Sequence, residues 1–139
     1  MRKLLYAFLI AMSASIFIVQ AKAQVIVIAN NSVKASDVSK NDLKDVFTGA
    51  STSLGGGSVV PILLKAGSAH EEFLQAYIGK NDTAYRAGWR SLVFSGQATM
   101  PKSVDGDAAV VEFVAHNAGA IGYIGKASPH DGVKVLTVK

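Results

Sequence analysis

Lys65-Ala66-Gly67-Ser68-Ala69-His70-Glu71-Glu72 is the stretch where residue types and spacing come closest to chemistry. A β-rich run, Val59-Val60-Pro61-Ile62-Leu63-Leu64, leads into it, and a helical pattern through Phe73, Leu74, Tyr77 and Ile78 leads out. Ser68 fits the N-cap position with Glu71 three residues on, so the serine oxygen can accept from an orphan helix amide while the glutamate reaches back to the cap. A helix start directed out of a sheet suits an anion, because its first N–H groups lack intrahelical acceptors and the dipole places about half a positive charge there. The same pattern also describes an ordinary capped helix, whose cap is worth about 1 kcal/mol and binds nothing.

Other chemistry fits the chain less well. Ser68 and His70 could be nucleophile and base, but no G-x-S-x-G elbow surrounds the serine and no orienting acid is evident. Glu71 and Glu72, adjacent on a helix, diverge by about 100° and cannot form a facing carboxylate pair. His70, His116 and His130 lack the i, i+4 spacing of a helical zinc site, and the chain has no cysteine, so no metal or cofactor is expected and the histidines read as mostly solvent-facing. In Gly119 to Lys126 the Gly125-Lys126 pair stands one residue too far from Gly119 for a phosphate loop, and Ala127 replaces the required Ser or Thr. Gly119 and Gly122 read as turn and close-packing glycines. An enzyme is the weakest of the function classes.

The elements that must position the Gly67-Ser68 turn follow from pattern. Val25 to Ala29, wholly apolar, suits a strand buried on both faces. Ser39 caps a helix with Asp42 in its first turn, Leu43, Val46 and Phe47 on one face and Gly49 at its end. Ser51 to Ser58, with three consecutive glycines, reads as a flexible turn. Val59 to Leu64 is a strand whose Pro61 points to a sheet edge. After the helix that begins near Ser68, Gly79 stops the pattern and Asn81 to Thr83 offer caps for a third helix carrying Tyr85, Trp89, Leu92 and Val93, with Trp89 as a core residue. A fourth helix runs from Asp105–Asp107 to His116. Ala120 to Ile124 and Val133 to Val138 are two further strands around a Ser128 to Gly132 turn. Strands separated by helices argue for an α/β layered domain with a mixed, mainly parallel sheet flanked by helices.

Arg2 and Lys3 precede an apolar, small-residue run from Leu4 to Val19 and an A-x-A pattern at Ala21-Lys22-Ala23. This is the pattern of a secretory signal peptide cleaved after Ala23. The run is shorter than the ~20 apolar residues of a spanning helix, so the mature form is expected without a membrane anchor. Removing residues 1–23 of the 139 leaves 116, one domain of ordinary size at 24–139. Arg2, Lys3 and Lys22 are three of the 14 basic residues, leaving 11 against 10 acidic ones and a net charge of +1. Such a surface gives no electrostatic footprint for nucleic acid or anionic membrane.

The ordered set Ser39 to Gly49, Val59-Val60-Pro61-Ile62 leading to Gly67-Ser68, Trp89 with Leu92 to Gly96, and Ala118 to Ile124 resembles the small single-lobe phosphate ABC transporter substrate-binding proteins of the PBP-like domain family. The resemblance covers nearly all of residues 24–139. It implies a single periplasmic-binding-protein-like lobe that holds a small oxyanion, phosphate first and sulfate next. The implied ligand-binding set is Lys65 for charge, with Gly67 and Ser68 of the turn and the backbone amides of Ser68, Ala69 and His70. The family's turn reads approximately Arg-x-Asp-Gly-Ser-Gly-Thr; Gly67 and Ser68 carry over, and the bidentate arginine fork does not. Implied partners are a membrane permease or a sensor protein, and the implied location is the periplasm. One lobe leaves an anion half-solvated, so it must bind weakly, form a homodimer or dock on another protein. The alternative reading is a periplasmic interaction or adaptor module of the same fold whose ligand site has decayed.

Overall fold

Strand β1, Val25–Ala29, lies at the centre of a five-stranded sheet, which is why its sequence is apolar on both faces. The computed structural model describes residues 24–139, so the leader assigned to residues 1–23 lies outside the described residues. Sheet order is β2 (Asp37–Val38), β9 (Lys134–Val138), β1, β8 (Ala120–Gly125), β5 (Val60–Pro61). Strand β1 is antiparallel to both neighbours, β8 and β9, whereas β2 is parallel to β9 and β5 to β8. Four strands therefore share one direction and β1 runs against them, a mixed and mainly parallel α/β sheet. β8 and β9 are not neighbours, because β1 is inserted between them and residues 126–133 cross over it.

Helix α1, Lys40–Thr48, starts as its sequence dictates: Ser39 Oγ accepts from Asp42 N–H at 3.0 Å, and Gly49 ends it in the left-handed region at φ 83°. The stretch read as a flexible turn is instead a small hairpin, β3 (Ser53–Leu54) with β4 (Gly57–Ser58). Gly55 and Gly56 supply positive φ angles of 60° and 84° at its two central positions, the pair of values a tight primed turn demands. The run at 59–64 is divided between two partners. Val60 N–H donates to the carbonyl of Gly119, just before β8, and Ile62 N–H to that of Ile121 in β8, so Pro61 turns its missing N–H to the open side; β6 (Leu63–Leu64) then pairs in parallel with β7 (Ser103–Val104). Two-residue strands such as β2 and β7 carry no periodicity, and none was expected there.

Helix α2, Ser68–Phe73, continues into a π-helical turn, Leu74–Ile78, closed by Gly79 at φ 76°. Asn81 Oδ1 caps α3, Asp82–Phe94, by accepting from Ala84 N–H at 2.9 Å; α4 is Asp107–His116. On one face of the sheet Phe73 stacks on Tyr123 with ring centroids 3.9 Å apart, and Phe47 of α1 meets Phe73 edge-on at 4.9 Å. Trp89 is core, as expected: its Nε1 donates to Phe47 O at 3.0 Å, and Tyr85 OH donates to the same carbonyl. Val93 is not on that buried face but 42 % exposed. The opposite face of the sheet receives α4. There Gly122 admits Val110 so closely that a Cβ would stand 2.7 Å from its Cγ1, the reason for glycine within a strand.

Candidate functional site

The cleft of interest forms where β6, β7 and β8 end, at Leu64, Val104 and Gly125. Helix α2 begins four residues after β6 and α4 begins three after β7, so both helix starts open on one cavity of about 480 Å³. Ala66, Gly67, Ser68, Ala69 and Glu72 line one side; Gly106 and Asp107, with Gly125 to Ser128 and Gln24, line the other. Ligands of open α/β sheets lie at this position, beyond the carboxyl ends of strands.

The α2 start differs in detail from the sequence expectation. Gly67, at φ 106°, is the N-cap and makes no side-chain cap bond, so Ser68 is the first helical residue and no Ser68–Glu71 capping box forms. Glycine serves as a cap here because this φ is open to a residue without Cβ. The first helical bond is Glu71 N–H to Gly67 O at 3.0 Å. The amides of Ser68, Ala69 and His70 precede it and have no carbonyl one turn back.

At the α4 start, Gly106 is likewise a cap without a side-chain bond, and Val110 N–H donates back to its carbonyl at 3.1 Å. Asp107 brings a carboxylate to this positive end, where Oδ2 accepts from Gly125 N–H at 2.9 Å and Ser128 Oγ–H at 2.5 Å. The ionisable residues lining the cavity are Glu72, Asp107 and Lys126. Attraction for an anion therefore comes chiefly from main-chain donors and Lys126, against two carboxylates.

Of the expected binding residues, Gly67, Ser68 and Ala69 line this cavity, and Lys65 and His70 do not. Lys65 Nζ lies 3.4 Å from Asp105 Oδ2 at the surface. The His70 side chain is not solvent-facing but 1 % exposed, because the third position of α2 turns inward to the sheet. Its Nδ1 is 2.6 Å from Tyr123 Oη and its Nε2 2.7 Å from Asp82 Oδ1. Arg86 Nε donates to the same Asp82 oxygen at 2.9 Å. Burial, the largest influence on Asp82, raises its carboxyl, but the His70 hydrogen bond and the charge and hydrogen bond of Arg86 together outweigh it and hold the group below the ordinary value. Burial drives the Tyr123 hydroxyl well above its ordinary range, so it remains a neutral donor.

Sequence reasoning missed Asp82, Arg86, Asp107, Tyr123 and Ser128. The Asp82–Arg86 spacing of four on a helix was a readable signal for an ion pair; the Asp107–Ser128 contact spans 21 residues and had none. Among the described residues, no group of three or more His, Asp or Glu could hold a metal ion. His116 Nδ1 lies 2.8 Å from Glu112 O, and His130 Nδ1 2.9 Å from Ser128 O. Gly119 to Lys126 consists mostly of strand β8, with Gly119 at φ 76° in the turn before it.

No protein-family model and no curated protein matches the chain. Solved structures do. A protein from Clostridium perfringens, described as a phosphate ABC transporter substrate-binding protein and solved with bound phosphate, superposes with a TM-score of 0.64 at 23 % identity over 83 % of this chain and 44 % of its own. An ABC-type phosphate transport receptor from Vibrio cholerae gives 0.63 at 18 %, over 83 % of this chain and 46 % of its own. PstS from Borrelia burgdorferi gives 0.60 at 18 %, over 84 % and 47 %. The chain spans less than half the length of each. Its fold is that of a periplasmic-binding-protein-like α/β lobe, as the sequence resemblance implied.

Proposed function

We propose that this chain is an exported solute-binding module that takes a small oxyanion, phosphate first, in the cleft between the starts of α2 and α4, performs no chemistry on it, and serves an ABC-type transport system. The observation that carries the reading is the convergence of two helix N-termini on one cavity at the carboxyl ends of the strands, with the Ser68 and Ala69 amides ahead of the first helical bond. A fold shared with a protein solved with phosphate bound supports it. Without a guanidinium fork at the turn, affinity rests on main-chain donors and Lys126 and is weak. Residues 1–23 act as a cleaved leader that delivers the domain to the periplasm; among the described residues, no helix is long and apolar enough to cross a membrane.

A second reading, an interaction or adaptor module of the same fold, is favoured by one observation: Asp107 already places a negative charge at the α4 start. Calorimetric titration with phosphate and with sulfate separates the two. Saturable heat at millimolar anion or below supports solute binding, and its absence supports the adaptor. Intact mass of the protein recovered from the periplasm tests the leader, with loss of residues 1–23 as the expected result.

A further inference from the structure

Leu64, the last residue of β6, is gripped at both of its peptide groups by one closed circuit of hydrogen bonds. Its N–H donates to Tyr123 Oη at 3.1 Å; Tyr123 Oη is 2.6 Å from His70 Nδ1; His70 Nε2 is 2.7 Å from Asp82 Oδ1. Arg86 Nε donates to that same Asp82 oxygen at 2.9 Å, and Arg86 Nη2 returns to Leu64 O at 3.2 Å and Lys65 O at 3.1 Å. The proton positions follow from chemistry. The Asp82 carboxylate only accepts, so Nε2 carries a proton; in the neutral imidazole Nδ1 then accepts from the Tyr123 hydroxyl, whose oxygen accepts from Leu64 N–H.

The circuit joins four elements, β6, β8, α2 and α3, immediately behind the turn whose next residues, Ala66 to Ala69, line the cleft. Lys65 N–H is also taken, donating to Val104 O at 2.9 Å. Both peptide groups before Ala66 are thus immobilised, and His70 is at once a circuit member and the third residue of α2. His70 and Tyr123 are buried, and a core built only for stability would place apolar side chains at their positions, since a buried polar group with its hydrogen bonds yields little net stability. What such a circuit supplies is directional restraint. We propose that the Leu64–Tyr123–His70–Asp82–Arg86 circuit is the device that aims the α2 amides into the cleft, with Arg86 and Tyr123 as positioning residues for the anion. This rests on the oxyanion reading of the cleft.

The test compares Arg86→Lys and Tyr123→Phe with Val114→Ala, a buried α4 position against the opposite face of the sheet, by amide hydrogen exchange, melting temperature and phosphate titration. Lysine keeps the charge of Arg86 but cannot span a carboxylate and two carbonyls. Expected are exchange at Leu64 and Lys65 faster by about tenfold or more and phosphate affinity weaker by about tenfold in both circuit variants, a factor of ten corresponding to one lost interaction of ordinary strength. Val114→Ala lowers the melting temperature at least as much and moves neither. Asp82→Asn, which keeps the accepting oxygen, retains more affinity than Asp82→Ala. The proposal is overturned if affinity simply tracks melting temperature across all variants, or if the circuit variants exchange as the wild type does. Should wild type bind no phosphate, the oxyanion reading fails, and the exchange data alone decide whether the circuit restrains the turn.

Discussion

Ser68→Pro is the sharpest perturbation of the proposed site, because the structure places Ser68 at the first helical position and not at the cap. Proline is favoured there: its ring presets the helical φ and the N–H it lacks has no helical acceptor in any case. The preceding residue tolerates it as well, since Gly67, at φ 106° and ψ 174°, lies outside the α region that a following proline disfavours and has no Cβ to meet its ring. The fold should therefore survive while one cleft donor disappears. A hydrogen bond to a charged group is worth about 1.5–3 kcal/mol, and 1.4 kcal/mol is a factor of ten, so phosphate affinity should fall by roughly ten- to hundredfold. Ser68→Ala is the companion variant. It removes an exposed hydroxyl that makes no cap bond and retains the amide, so a backbone-centred site predicts a much smaller loss. Isothermal calorimetry gives the affinities and circular dichroism verifies the fold. Unchanged affinity in Ser68→Pro with an intact fold would refute the assignment of donors to this helix start, and an equal loss in both variants would move the interaction to the side chain.

Three further outcomes are expected. Asp82 has a folded value held below its ordinary 3.8, so it contributes stability above that pH that is lost as pH falls through the lowered value; denaturant midpoints measured against pH should decline on that acid limb, and Asp82→Asn should flatten it. Tyr85 is pushed up to about 12 by burial, with its hydroxyl donating to Phe47 O; its stabilisation is present below pH 10 and lost as pH rises through the folded value, visible as a phenolate absorbance step delayed relative to exposed tyrosine and absent in Tyr85→Phe. Two glycine-to-alanine changes should act in opposite directions: Gly122→Ala forces a methyl to within 2.7 Å of Val110 and 2.9 Å of Ile62 and should cost about 1–3 kcal/mol. Gly88→Ala, inside α3 with nothing within 4 Å, should gain up to about 1 kcal/mol in the same thermal melts.

Residues close in sequence were legible before any fold was known. Helix α1 with its Ser39 cap and Gly49 stop, the α3 cap at Asn81, the buried strand at Val25–Ala29 and the β6-to-α2 junction all depend on interactions spanning a few residues, and propensity and period encode those directly. The sequence alone thus determined the layered α/β class and the presence of a helix start beyond a strand. What the tertiary structure decided was which distant groups meet at that start. Helix α4 converges on the same cavity, Asp107 reaches Ser128 and Gly125, and His70 turns inward to Tyr123 and Asp82 while Lys65 is drawn away to Asp105. None of these contacts has a local signature, because each is fixed by chain crossover and sheet order: His70 and Tyr123, 53 residues apart, come within 2.6 Å because α2 packs against β8. The cap falls on Gly67 and not on Ser68 because the turn enters α2 at a φ of 106°, which only glycine takes without strain.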